Sequence, residues 1–310
     1  MLHIAIAGGS SPGLGTSLTA SLLAAGHKIT VLSRSLPNNL SANANLHHVA
    51  VDYNSASSVA AALKDVHTLI SVIWSFDNIV EINRVLIDGA VQAGVKRFIP
   101  SEWSGREKCN ELIDWYHPRV DIIELIKRSG LEWTAVRIGL FMNDVAVGSV
   151  HEKEALGGLR SQTVVIDMKN GTAEVPGTGD EKLGLIRVED VGTVVTKIVE
   201  IEGHWEKEYL ITGDMTTYNQ ILKVAEDIAG EFVFFRRSAV LFFKLELTGK
   251  MIQVANLRSN ILLLKSFRTK RMNQSRRVLG RRFCGSSRDV LPRVISLVTH
   301  LVRSTGRRQD

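Results

Sequence analysis

Six short apolar runs, spaced by helix-length stretches, limit the architectures open to this chain more than any other feature. The runs are LHIAIA (2–7), KITVLSR (28–34), LHHVAVDY (46–53), HTLISVI (67–73), RFIPSE (97–102) and EWTAVRIGLF (132–141). They are rich in Val and Ile, and helical patterns fall between them at 13–25, 56–63, 77–93 and 118–129. Strand and helix alternating at this interval predict an α/β protein with a doubly wound parallel sheet, because parallel strands need crossover helices that cover both faces. Gly94 and Gly130 stand where two of these helices should stop.

Beyond residue 142 the rhythm changes to Gly/Pro turns, shorter strands and two further helices, one starting near Asp190. The expected organisation is a dinucleotide-binding domain at 1–141, a small α+β substrate lobe at 142–235, and a separate tail at 236–310. Charge marks off the tail. Residues 236–310 hold 18 Lys+Arg against 3 Asp+Glu, net +15, whereas residues 1–235 are net −9. The tail is expected to be poorly ordered or loosely attached, the product of an altered reading frame or misassigned gene boundary. Its basic excess carries no zinc, basic-zipper or RNA-binding signature, so no nucleic-acid partner is expected. No apolar run reaches the length of a membrane span and no signal peptide is evident, so no membrane association and a cytoplasmic location are expected. Cys109 and Cys284 are too few for a disulfide framework or a cysteine metal site, and no metal is expected.

The stretch AIAGGSSPGLGTS follows the first strand and opens the first helix. Its spacing, GxxxGxG over Gly9, Gly13 and Gly15, suits a phosphate cradle: one glycine permits the tight turn, one lets the backbone approach a pyrophosphate, and one lets helix pack on sheet. An anion then meets the N–H groups at the helix start, which makes Gly9, Ser10, Ser11, Gly13, Leu14 and Gly15 the candidate pyrophosphate site. At the end of the second strand VLSRS places Arg34 19 residues past Gly15, where NAD-selective proteins usually carry Asp or Glu. A guanidinium suits a 2′-phosphate, with Ser33 and Ser35 as further donors, so the expected cofactor is NADP(H). A solvated surface arginine is the alternative. Asp52, ending the third strand, is a candidate for the adenine edge or an ordinary acidic loop residue.

AGGSSPGLG, VLSRS, VKRFIPSEW, SGLEWTAVRIGLFMN and VPGTGDEKLGLIRVEDVG together resemble the NmrA-like and isoflavone-reductase-like group of atypical short-chain dehydrogenases, over residues 1 to about 232. Residues 236–310 are expected to match nothing in that family. The resemblance implies a Rossmann domain and NADPH-dependent reduction of a small aromatic or polyketide-type secondary metabolite; some relatives are non-catalytic dinucleotide-binding regulators. The chain departs from the family pattern at Ser11, which replaces a glycine, and at Trp103-Ser104-Gly105 after Pro100-Ser101-Glu102. Arg119 stands where the reductases carry lysine. Arginine stays protonated and cannot exchange a proton as lysine can, but a fixed cation can still stabilise an oxyanion. Tyr116 and His117 are further catalytic candidates or plain loop residues; Tyr116 and Arg119 resemble the Tyr/Lys pair of ordinary short-chain dehydrogenases at a spacing one residue shorter. Trp103, Trp115 and Phe141 are candidates for an aromatic pocket or for packing. The expected partner is a small-molecule substrate, and the sequence does not fix an oligomeric state.

Overall fold

A parallel sheet in the order β3-β2-β1-β4-β5-β6 forms the centre of the protein, seen in a computed structural model that describes residues 1–36, 43–113, 116–148, 152–161, 165–167 and 172–229. The strands are β1 (His3–Ala7), β2 (Lys28–Ser33), β3 (Leu46–Ala50), β4 (Thr68–Ser71), β5 (Arg97–Ile99) and β6 (Glu132–Trp133). Helices α1 (Leu14–Ala24), α2 (Ala56–Ala62), α3 (Ile79–Ala93), α4 (Lys108–Leu112) and α5 (Pro118–Arg128) connect them. Two buried clusters sandwich the sheet. One gathers Ile4, Ile6, Leu18 and Leu22; the other gathers Ala5, Leu32, Leu69 and Phe98. Residues alternating along β1 therefore feed opposite faces, as expected for a sheet buried on both sides.

The run 132–141 is not one strand. It divides into β6, β7 (Ala135–Arg137) and β8 (Leu140–Phe141), which pair respectively with β5, β12 (Glu208–Leu210) and β11 (Lys182–Ile186). The physical cause is the loop after β5: the Ser104 carbonyl accepts the N–H groups of Ile138 and Gly139, at 3.0 and 3.2 Å, and pulls the chain off the main sheet. Gly139 makes the turn at φ 65°, where a Cβ would stand 2.5 Å from the Gly184 carbonyl oxygen.

In the smaller lobe, Val145, Val175, Leu185, Tyr218 and Leu222 form a core of their own. It is enclosed by β11, β13 (Asp214–Thr217) and α8 (Tyr218–Ala229), and the lobe also holds α6 (Glu152–Ala155) and the antiparallel pair β9 (Ile166–Asp167) and β10 (Thr172–Ala173). Helix α7 (Val188–Val199) behaves differently. Its Val188, Val191 and Val195 share the core of β1 and α1, so a division at residue 142 runs through the packing of the first domain. Close approach of α1 and α7 depends on Gly192, whose added Cβ would lie 2.3 Å from Ser21 Oγ and 2.8 Å from the Ser17 carbonyl oxygen. Trp115, Cys284 and the 236–310 tail lie outside the described residues.

Candidate functional site

The strand order reverses between β1 and β4, and in open parallel sheets the crevice at such a switch point, beyond the carboxyl ends of the strands, takes the ligand. The glycine turn occupies that position after β1. Gly8 and Gly13 adopt φ of 82° and 86°, which L side chains rarely tolerate. Gly15 begins α1 directly against the turn: a Cβ there would stand 2.3 Å from the Gly8 carbonyl oxygen. Gly9 packs over Ile6 and Thr19, and the Thr19 hydroxyl donates to the Gly9 carbonyl at 3.0 Å. The N–H groups of Thr16 and Ser17 are taken by Ser11 O and Gly13 O. Leu14 and Gly15 open the helix, where backbone donors lack intrahelical acceptors.

A second chain segment borders this cradle. Gly158 and Leu159 approach Gly13 from the lobe side, so closely that a Cβ on Gly158 would be 2.6 Å from Gly13 N. Asn143 anchors the segment: its Nδ2 donates to Ala155 O at 3.0 Å and its Oδ1 accepts the Val188 N–H at 2.8 Å.

Arg34 is exposed just past β2, beside the half-buried Tyr53 whose hydroxyl donates to Leu32 O. Burial pushes the Tyr53 phenol well up from its ordinary range. Ser33 is not a free donor in this arrangement, since its hydroxyl donates to Ser35 O at 2.7 Å. Asp52 is exposed, and its Oδ1 accepts from both the backbone and the side chain of Asn54, an Asx turn that accounts for an acidic residue there.

Across the switch point the ends of β4 and β5 meet the start of α5. Arg119 is 6% exposed. Its guanidinium carbon lies 4.1 Å from the Tyr116 ring centroid and 4.5 Å from that of Trp74, and Nη1 donates to Ser104 Oγ. Tyr116 and Trp74 stand edge to face, as do Trp74 and Phe76. Phe76 is 77% exposed. Beneath Arg119 is the fully buried Glu102, whose Oε2 accepts from Arg137 Nη1 and, at 2.8 Å, from Asn110 Nδ2. Arg137 also donates through Nε to Glu208 at 3.1 Å, linking β7 to β12. Two carboxylates and two guanidiniums thus alternate through the interior, which keeps each buried charge paired.

Tyr116 and Arg119 are therefore brought together, and His117, between them in sequence, is exposed. Trp103 and Phe141 pack on the main core, and Trp103 Nε1 donates to Ser71 O at 2.9 Å. The aromatic wall by Arg119 comes instead from Trp74 and Phe76. Their signal in the sequence is their place after β4, the strand that flanks the switch point. Among the described residues no group of three or more His, Cys, Asp or Glu could hold a metal, and no helix is long and apolar enough to cross a membrane.

Sheet order, glycine turn and site position define a Rossmann-type α/β protein. The chain belongs to the NmrA-like family, whose model matches residues 3–258. That match continues past residue 232 and into the segment expected to match nothing, which corrects the expectation as far as residue 258. Among curated relatives, an oxidoreductase of Botryotinia fuckeliana (BOA1) is 28% identical over 241 residues, covering 74% of this chain and 77% of that one. An oxidoreductase of Arthroderma benhamiae (swnR) is 26% identical over 211 residues, 66% of this chain and 67% of that one. A ternary complex of leucoanthocyanidin reductase from Vitis vinifera superposes with TM-score 0.60 at 17% identity, covering 81% of this chain and 82% of that one. An NADPH-dependent quinone oxidoreductase of Escherichia coli (QOR2) gives 0.59 at 19%, covering 80% and 82%. At these identities the structural likeness concerns the fold.

Proposed function

We propose that this protein is an NADPH-dependent reductase of a small, aromatic or polyketide-type secondary metabolite, working in the cytoplasm. One observation carries the reading: the glycine cradle after β1 and the Tyr116–Arg119 pair beside β4 and β5 lie at the same edge of one sheet, on either side of its switch point. Curated relatives named oxidoreductases and a fold neighbour named as NADPH-dependent support it.

The cradle suits a dinucleotide, because Leu14 and Gly15 open helix α1 with backbone N–H groups that lack intrahelical acceptors, next to a turn that carries no side chain at Gly13 or Gly15. Gly9, Ser10, Ser11, Gly13, Leu14 and Gly15 hold the pyrophosphate; Arg34, with Ser35, selects the 2′-phosphate. Asp52 keeps at most a minor role at the adenine, given its Asn54 partner. The cofactor supplies the hydride. Trp74 and Phe76, edge to face, offer an apolar aromatic surface for the substrate. Tyr116 donates the proton to the substrate oxygen, while the fixed charge of Arg119 stabilises the phenolate left behind. His117, exposed nearby, returns the proton from solvent.

A second reading, a dinucleotide-binding regulator without turnover, is favoured by the burial of Arg119 under Tyr116 and Trp74. Oxidation of NADPH in the presence of quinones, enones and aryl ketones tests the two. Substrate-dependent turnover is expected; tight NADPH binding with no turnover across the panel overturns the reductase reading.

A further inference from the structure

Glu102 has no part in the reading above beyond lying beneath Arg119, yet it is the group most completely enclosed by this network. Its carboxylate is 1% exposed. Oε2 is committed to Arg137 and Asn110. Oε1 has no hydrogen-bond partner and faces Arg119 Nε at 3.9 Å, and Arg119 Nε has none either. Each of these two buried atoms thus faces the opposite charge of the other without a hydrogen bond. Such an arrangement fixes a guanidinium by field more than by contact, since a buried charge without a counter-charge is strongly unfavourable.

We infer that Glu102 is a positioning residue: it holds the Arg119 charge against the Tyr116 ring and sets the net charge that the Tyr116 hydroxyl experiences. The inference rests on the proton-donor role proposed for Tyr116, but its physical content can be tested without turnover. Among the described residues, the charged and titratable groups around the pair are Glu102 from the β5 loop, Arg137 from β7, Cys109 from α4, and His117 beside Tyr116, with Glu208 of β12 behind Arg137. Within this set Glu102 and Glu208 balance Arg119 and Arg137. Replacing Glu102 by Gln keeps an oxygen for Asn110 and Arg137 but leaves one uncompensated positive charge. That charge favours phenolate, so Tyr116 should ionise at lower pH. Replacing Arg119 by Met removes the cation and should move Tyr116 the other way.

The chain has four tyrosines. Burial raises Tyr53 and Tyr218 far above their ordinary range. In a Tyr209→Phe background, ultraviolet difference titration then reads Tyr116, confirmed by loss of that step on Tyr116→Phe. Glu102→Gln is expected to lower the midpoint by about one pH unit and Arg119→Met to raise it by about one or more. The double variant Arg119→Met/Glu102→Gln removes one charge of each sign, so its midpoint should return from the Arg119→Met value towards that of the Tyr209→Phe protein. The alkaline limb of kcat should shift with the tyrosinate midpoint. An unchanged midpoint in Glu102→Gln, or a double variant whose midpoint stays at the Arg119→Met value, overturns the inference. If the single variant does not fold, the double variant against Arg119→Met alone decides: an unchanged midpoint between those two means that Glu102 does not set the charge at Tyr116. Shifted midpoints without turnover on any substrate would leave Glu102 as the positioning residue and overturn the reductase reading instead.

Discussion

Gly15 and the Gly8 carbonyl lie so close that a methyl group on Gly15 would stand 2.3 Å from the oxygen. The first turn of α1 is in this way locked to the glycine turn, backbone against backbone. Gly15→Ala cannot be relieved by a side-chain rotation, because the obstructing atom is main chain. The substitution should cost about 1–3 kcal/mol of stability and abolish NADPH binding under conditions that keep the chain folded. Denaturant titration and cofactor fluorescence measure the two effects; unchanged NADPH affinity would remove the cradle from the site.

Arg34 supplies a second test, of cofactor choice. Arg34→Ala should weaken NADPH binding by about tenfold to a hundredfold, the worth of a charge-assisted contact of about 1.5–3 kcal/mol. NADH affinity should hardly change. Titration of both nucleotides against both proteins checks this, and wild-type protein binding NADH as tightly as NADPH would refute the 2′-phosphate assignment.

Arg119 separates the two functional readings. In a reductase, Arg119→Met removes the fixed charge next to Tyr116, and kcat/KM should fall by roughly tenfold to a thousandfold while NADPH binding changes less. Arg119→Lys restores a residue able to exchange a proton at this position. A rate gain in the lysine variant means that arginine weakens an existing activity. No turnover in any of the three proteins, on substrates that relatives accept, favours the regulator.

Acid should destabilise the opposite edge of the sheet. Burial is the main cause that holds His3, His27 and His67 below the ordinary histidine value of 6.5. Between the lowered folded value and 6.5, the unfolded chain binds more protons than the folded one, so stability rises with pH there. The contribution is fully present above 6.5 and is lost as the pH falls through the folded values. Melting temperature should therefore drop between neutral pH and pH about 5, and the drop should shrink when His3 and His67 are replaced by Gln.

The six alternating apolar runs and the glycine spacing were enough to read the parallel sheet, the order of its helices and the place of the glycine turn. These features are local: a strand's period, a helix's stop at Gly94 and a turn that only glycine can make are each written in a few adjacent residues. Tertiary structure decided the rest. The run 132–141 looks like one strand because its composition is uniform, but hydrogen bonds from a loop some 30 residues earlier break it into three. Helix α4 is only five residues long and has no periodic signal of its own. Helix α7 belongs with α1 because Gly192 fits over Ser21, a relation between residues 171 apart. At the site, the sequence offered Tyr116 and Arg119 three residues apart at the start of a helix, but not Trp74 against them or Glu102 beneath. A carboxylate's counter-charge is set by which elements pack around it, and Glu102, Arg119 and Arg137 come from three separate ones.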